Sequence, residues 1–189
     1  MTECKVTTMD TWLGPLTIVQ TAKGVRFVDL DDGARQFARE AEGQFVRIPG
    51  LPESTAEFEA YFSGTLREFT SPVDPVGTPF QLRCWEALRL IPYGQTITYA
   101  QEGQRIGTRG FRAVGQANRR NPVAILIPCH RVIGLNGPGG YFGAKLWMKR
   151  ALLEFEGVCW PEAWGHEVPE NIQNECRARI DGTQGEMLN

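Results

Sequence analysis

Histidine is scarce in this chain: two imidazoles, His130 and His166, in 189 residues. The five cysteines at 4, 84, 129, 159 and 176 form no C-x-x-C pair, so a structural zinc site of the usual ligand spacing is not expected. An odd, widely spaced set also argues against a secreted disulfide scaffold. No segment approaches the ~18 apolar residues of a membrane span. The opening "MTECKVTTMD" has neither the basic start nor the apolar core of a signal peptide. These absences make a reducing compartment the expectation: the cytoplasm, or the nucleus in a eukaryote. Strong net charge is missing too, at −2, which taken alone disfavours nucleic acid.

The charges present are unevenly distributed. Between Gln101 and Arg131 stand six arginines (105, 109, 112, 119, 120, 131) against the single acid Glu102. Between Val28 and Ala60 eight acids face three arginines. Such asymmetry suits one face built for an anionic polymer and another turned away from it, although a charge run can equally be a solvated face.

The chain reads as two halves. Residues 4–30 predict three short strands, "KVTTM", "PLTIVQT" and "VRFVDL", punctuated by Gly14-Pro15 and Lys23-Gly24. Helices are expected over 33–42 and 55–63, the latter carrying Phe58, Tyr61 and Phe62 at helical spacing. "SPVDPVGTP" reads as a connection. "TPFQ" then sets Thr78 at N-cap, Pro79 at the first helical position and Gln81 two residues on, a capping box whose helix stops at Pro92-Tyr93-Gly94. "TYAQ" repeats the device from Thr98, with an end expected at Gly107. Thr108 is expected to cap one more helix, ending before Asn121-Pro122. Two short helices joined through glycine, the second rich in arginine, form a helix-turn-helix pattern. Gly110, Ala113 and Ala117, with Gly115, give that second helix a small-residue stripe, suited either to close approach to DNA or to tight helix packing.

In "NPVAILIPCHRVIG", Val123–Ile127 predicts a buried strand that Pro128 ends, placing Cys129 at its exit and His130 next to it. A thiolate is the reactive form of cysteine; neighbouring side chains often diverge, but the adjacent imidazole could reach the sulfur through a water.

"IPCHRVIG" resembles the active-site signature of the O6-alkylguanine-DNA alkyltransferases (methylated-DNA–protein-cysteine methyltransferases). "IPYGQTITY", "RAVGQANRRNP" and "RALLEFEG" are similar to that family's other blocks, in the same order, across roughly Phe62 to Gly157. The resemblance implies an α/β N-terminal ribonuclease-H-like domain over 1–75 and a mainly α domain with a helix-turn-helix over 76–157. Residues 158–189 would be an extension whose last ten or so are disordered.

It also implies a suicide methyltransferase. Cys129 would take the alkyl group from O6 of guanine, His130 would draw the thiol proton through a water, and Glu156 would orient His130. Tyr99 would donate to the departing guanine, with Tyr93 its competitor on proximity alone. Asn121 would bridge the helix-turn-helix to the active-site strand. Carbonyls of Cys129 and Val132 would read the guanine amino group. Arg112 would fill the gap left by a flipped base, with Thr98, Ala113, Gly115, Ala117, Arg119 and Arg120 also at the DNA. Pro128, Val132, Asn118, Tyr141, Phe142 and Gly143 would line the base pocket.

The implied partner is double-stranded DNA containing O6-alkylguanine, met from the minor groove by a monomer, with no cofactor, no metal and no membrane. Two other readings are a non-catalytic lesion-binding sensor, whose relatives replace the cysteine, and a Cys-His hydrolase. A thiol phosphatase is excluded, because its C-x5-R pattern would need arginine where Leu135 stands. The chain departs from the family pattern at "EGQRIG", where Gly103 costs about 1 kcal/mol of helix propensity, and in a turn about one residue short.

Overall fold

The structure is a computed structural model that describes residues 1–30, 45–141 and 145–186, the side chains only up to residue 180. The chain divides into two compact units: residues 1–76 with 122–126, and residues 77–121 with 127–189. Among the described residues no helix is long and apolar enough to cross a membrane.

The first unit is built on a four-stranded sheet of order β3-β2-β1-β4, with β1 Thr2–Thr11, β2 Gly14–Thr21, β3 Gly24–Leu30 and β4 Phe45–Arg47. β1, β2 and β3 pair antiparallel as a meander, and β4 joins β1 in parallel. The three predicted strands are present, each longer by one to three residues at an end. Gly24, at φ +143°, turns the second hairpin where a Cβ would come within 2.5 Å of Pro72 O. That close approach lets Val25 N donate to Pro72 O at 2.8 Å. α1 (Thr55–Phe62) buries Phe58, Tyr61 and Phe62, the stripe expected from their spacing. Trp12 meets Phe62 edge to face at 5.7 Å and donates its indole N–H to the Phe62 carbonyl. The helix expected over 33–42 lies outside the described residues.

Residues 122–126 belong to this unit but do not form the predicted strand. Val28 N donates to Pro122 O and Ala124 N to Val28 O, after which the backbone turns at Ile125 with φ +73°. A β-branched residue in the left-handed region is strained by about 1–3 kcal/mol, and full burial of Ile125 and its apolar neighbours offsets that. An apolar run gives the same sequence signal whether a ladder or a buried turn covers it.

The second unit holds α2 (Pro79–Arg89), α3 (Tyr99–Arg105), α4 (Phe111–Arg119), α5 (Leu146–Phe155) and α6 (Glu170–Glu186). It also holds a two-residue parallel ladder of β5 (Ile97–Thr98) with β6 (Val132–Ile133). Both capping boxes form. Thr78 and Thr98 each accept from the backbone N–H of the glutamine three residues on, which in turn accepts from the threonine's own N–H. Within the C-terminal extension, α6 runs from Glu170 to Glu186. Its sequence is polar and carries Gly182 and Gly185, so no apolar periodicity announced it.

Candidate active site and DNA-facing helix

α3 and α4 form the helix-turn-helix, and its turn explains Gly103. A Cβ at Gly103 would lie 2.9 Å from Thr108 O and 3.2–3.3 Å from the Phe111 ring. Thr108 N donates to Gly103 O at 2.8 Å, so the short turn crosses directly over this glycine. Gly103→Ala is therefore expected to lower stability by about 1–3 kcal/mol in urea denaturation, although alanine is the better helix former by about 1 kcal/mol. Thr108 does not cap α4 as the sequence suggested. Gly110 occupies the N-cap, and Thr108, two residues before it, accepts from Gly110 N through its hydroxyl inside the turn.

α4 turns Arg112, Ala113, Gln116 and Arg119 to solvent, followed by the exposed Arg120 at its C-cap. Its opposite face buries Val114, Ala117 and Asn118. Ala117, expected at the DNA, is instead packed against α2, where its carbonyl accepts the Trp85 indole N–H at 3.0 Å. Gly115 is half-buried against the Tyr99 ring. Asn118, expected in the base pocket, is buried with its amide nitrogen 2.6 Å from Glu102 Oε2. Of the six arginines in the basic stretch, five are exposed and Arg131 is buried.

Pro128 leads into a single 3-10 turn, Cys129–Arg131. Cys129 is half-buried at its start, and His130 is fully buried. Asn121 holds the entry to this turn: its Nδ2 donates to Ile127 O at 2.7 Å and to Cys129 Sγ at 3.2 Å. Behind the turn, His130 Nε2 lies 2.9 Å from Glu156 Oε1. Arg131 grips the same carboxylate in a fork, Nε to Oε2 at 2.8 Å and Nη2 to Oε1 at 2.9 Å. Its Nη1 donates to Ile91 O at 2.7 Å. Glu156 is the C-cap of α5 and also accepts from Gly94 N at 3.4 Å, so the Pro92-Tyr93-Gly94 turn is tied to this cluster. Tyr93 itself donates its hydroxyl to Phe155 O and stacks near the Arg131 guanidinium.

The electrostatics follow from burial and pairing. Burial opposes ionisation of Glu156, but His130 and Arg131 outweigh it and hold the carboxyl well below the ordinary range. Burial lowers the His130 pKa, with Glu156 pulling the other way. The imidazole is thus neutral at rest. With Nε2–H donated to Glu156, its Nδ1 carries the lone pair, and that atom has no hydrogen-bond partner among the described residues. Burial raises the Cys129 thiol, opposed by the Asn121 amide and the Lys149 charge. The resting group is a thiol that needs a base.

Tyr99 stands at the first position of α3, and its hydroxyl accepts from Gly140 N at 3.4 Å, leaving its own proton for another acceptor. Gly139, at φ +75°, admits that ring: a Cβ there would lie 2.8 Å from the Tyr99 hydroxyl. Tyr141 is buried, with its ring 6.4 Å from that of His130. Phe142 and Gly143 lie outside the described residues.

Two residues of this region were not singled out from the sequence. Lys149 is fully buried on α5 and donates to Val132 O at 2.5 Å and Pro138 O at 2.6 Å, tying down both ends of the segment after the reactive turn. Burial lowers its pKa to about 8, against the pull of Cys129. The signal was available: a lysine between Met148 and Leu152 interrupts an apolar helix face. Arg131 was counted with the DNA-facing charge, whereas its spacing from Glu156 carries no local trace of their pairing.

Two family models account for most of the chain. The 6-O-methylguanine DNA methyltransferase ribonuclease-like domain matches residues 4–75, and the DNA binding domain of the same family matches residues 79–158. The chain is 40% identical over 149 residues to the methylated-DNA–protein-cysteine methyltransferase of Methanosarcina acetivorans, covering 78% of this chain and 94% of that one. It is 37% identical over 160 residues to the constitutive enzyme of Bacillus subtilis, covering 82% and 97%. The fold is similar to Mycobacterium tuberculosis OGT in complex with DNA, with TM-score 0.70 and 35% identity over 90% of this chain and 97% of that one. The DNA binding domain match contains the thiol, imidazole and carboxylate of Cys129, His130 and Glu156, and with the ribonuclease-like match before it the chain belongs to the 6-O-methylguanine DNA methyltransferase family.

Proposed function

We propose that this protein repairs DNA by moving the alkyl group of an O6-alkylguanine onto its own Cys129, once per molecule. The observation that carries the proposal is the arrangement at the reactive turn: a half-buried thiol held by Asn121, beside a neutral imidazole whose far nitrogen is fixed by a buried Glu156–Arg131 pair. A methyl carbon calls for a soft, strong nucleophile, and thiolate is the best that side chains offer.

The Cys129 proton passes through a water to His130 Nδ1, and Glu156 stabilises the imidazolium that forms. The thiolate attacks the alkyl carbon, the C–O bond breaks, and its electron pair returns to the guanine ring. Tyr99 donates toward the ring as negative charge develops there. The departing ring takes up a proton from solvent and His130 returns to solvent the one it took from the thiol, so the products are guanine and a thioether and the step balances without a cofactor. A thioether has no good leaving group, which makes the protein both catalyst and acceptor.

O6 is inaccessible inside a duplex, so the base must leave the stack. The exposed face of α4 fits the minor groove, with Arg112 at its N-terminal end to occupy the vacated space and Ala113 small enough for close approach. Thr98 and Arg119 and Arg120 flank that face toward the phosphates. Five exposed arginines make the affinity fall steeply with salt. One copy supplies every residue named, which supports a monomer as the acting unit. Five free cysteines suit a reducing compartment, the cytoplasm or nucleus.

The test is intact and peptide-resolved mass after mixing the protein with a duplex containing O6-methylguanine. One methylene mass on the Cys129 peptide is expected, saturating at one per protein. Bound duplex with no mass gain would instead make this a lesion sensor.

A further inference from the structure

Glu102 is the single acid of the basic stretch and is fully buried in α3, a costly place for a carboxylate without a cation against it. Its Oε2 accepts from Asn118 Nδ2 at 2.6 Å. Its other oxygen, Oε1, has no hydrogen-bond partner among the described residues, and neither does the other polar atom of the same amide, Asn118 Oδ1. Two orphaned acceptors thus sit on the two ends of one hydrogen-bonded pair. A carboxylate cannot satisfy either, because both lone atoms only accept. A carboxylic acid satisfies both at once: O–H on Oε1 donates to Oδ1 while Nδ2–H donates to Oε2, closing a planar two-bond ring.

We propose that Glu102 is protonated in the DNA-binding state, forming a cyclic acid–amide pair with Asn118 that fixes α3 against α4 and so sets the helix carrying Arg112. Glu102 acts as a positioning residue, and the inference rests on the reading of α4 as the DNA-facing helix. Loss of the proton leaves two acceptors facing each other in an apolar setting, and the two helices lose one bond and gain a repulsion.

The surroundings agree. Burial raises the Glu102 pKa to about 7, with the Asn118 amide and the Arg105 charge opposing. Cys84 on α2, the neighbouring helix, is itself pushed up to about 11, by burial first and next by the charge an ionised Glu102 would carry. That charge would also raise Tyr99 on its own helix and Cys129 at the reactive turn, so a protonated Glu102 spares both. Arg105 is exposed and is the cation whose charge favours the ionised form.

The sign follows from linkage. A carboxyl raised in the folded state contributes stability that is whole below its unfolded value of 4.5 and lost as pH rises through about 7. Glu102→Gln keeps the shape and both bonds of the ring without a titrating proton, whereas Glu102→Leu fills the volume and leaves Asn118 unpaired.

The experiment compares wild type, E102Q and E102L for affinity to an unmodified duplex at fixed salt from pH 6 to 8.5, alongside melting temperature over the same range and below. The expected ratio of E102Q to wild-type affinity is near one at pH 6, rising to roughly tenfold by pH 8.5. E102L is expected to be weak throughout. The Glu102 carboxyl carbon, followed by NMR, should titrate near pH 7. A ratio flat across pH, or a carboxyl already ionised at pH 6, overturns the proposal. A purely space-filling role would make E102Q and E102L alike. If the protein proved not to bind DNA at all, the melting and NMR arms would still decide the acid–amide pair independently.

Discussion

Cys129→Ser should bring alkyl transfer down on the order of a millionfold, to background, while leaving the fold and the affinity for duplex DNA nearly unchanged. The hydroxyl is a far weaker nucleophile at carbon, and a base as weak as a buried neutral imidazole does not ionise it. Its size and its bond from Asn121 Nδ2 are retained, so little else moves. Transfer is read by the mass of the protein after incubation with an O6-methylguanine duplex, and affinity by titration of the same duplex. A serine variant that still acquires methyl would place the acceptor elsewhere among the cysteines. A variant that loses duplex affinity as well would mean the thiol shapes the binding surface.

Glu156→Gln should cost about 3–5 kcal/mol of folding stability, because it strips the charge partner from a buried guanidinium. Arg131 is 6% exposed and Glu156 4%, so neither can turn to water for compensation. The variant also removes the anchor that fixes the His130 tautomer, so transfer should slow in whatever fraction stays folded. Denaturant unfolding gives the first effect and single-turnover kinetics the second.

Acid should reveal the same pair in the wild type. Glu156 is depressed in the folded state, so its contribution is present above its ordinary value of 4.5 and is lost as pH falls through the lower folded value. His130, buried and neutral, adds loss as pH falls below 6.5, where the unfolded imidazole takes up a proton that the folded one resists. Wild type should therefore weaken steadily below about pH 6.5, and Glu156→Gln should lack the carboxylate part of that slope. A Gln variant as stable as wild type, with the same acid profile, would deny the pair its role.

Much of this site was legible in the sequence because its parts are local. Thr78, Thr98 and their glutamines declare two helix starts by spacing alone, and the β-branched content of "PLTIVQT" between Gly14-Pro15 and Lys23-Gly24 declares a strand. Cys129 and His130 are neighbours in the chain, and the family signature brought Glu156, Tyr99 and Asn121 with them. The illegible parts depend on what meets what at a distance. Ala117 reads as a DNA-facing small residue until Trp85 is found reaching for its carbonyl. Arg131 reads as surface charge until Glu156 is found beneath it. Thr108 carries the right side chain for a cap, but its N–H is spent on Gly103 O within the turn and α4 begins two residues further on, at a Gly110 N-cap. The polar α6 shows that a helix without an apolar stripe gives almost no signal.

The detour at residues 122–126 bears on how this protein can be cut. A fragment starting at Gly77 would keep the reactive turn and the helix-turn-helix but would carry Val123, Ala124, Ile125 and Leu126 without the sheet that covers them, all at most 6% exposed in the intact chain. Asn121 and Ile127, joined by a hydrogen bond across the base of the detour, would then hold a sticky apolar loop out to solvent. The catalytic half is not a separable module in the linear sense. Trimming at residue 77 would therefore leave an apolar, aggregation-prone remnant in the fragment that keeps the reactive turn.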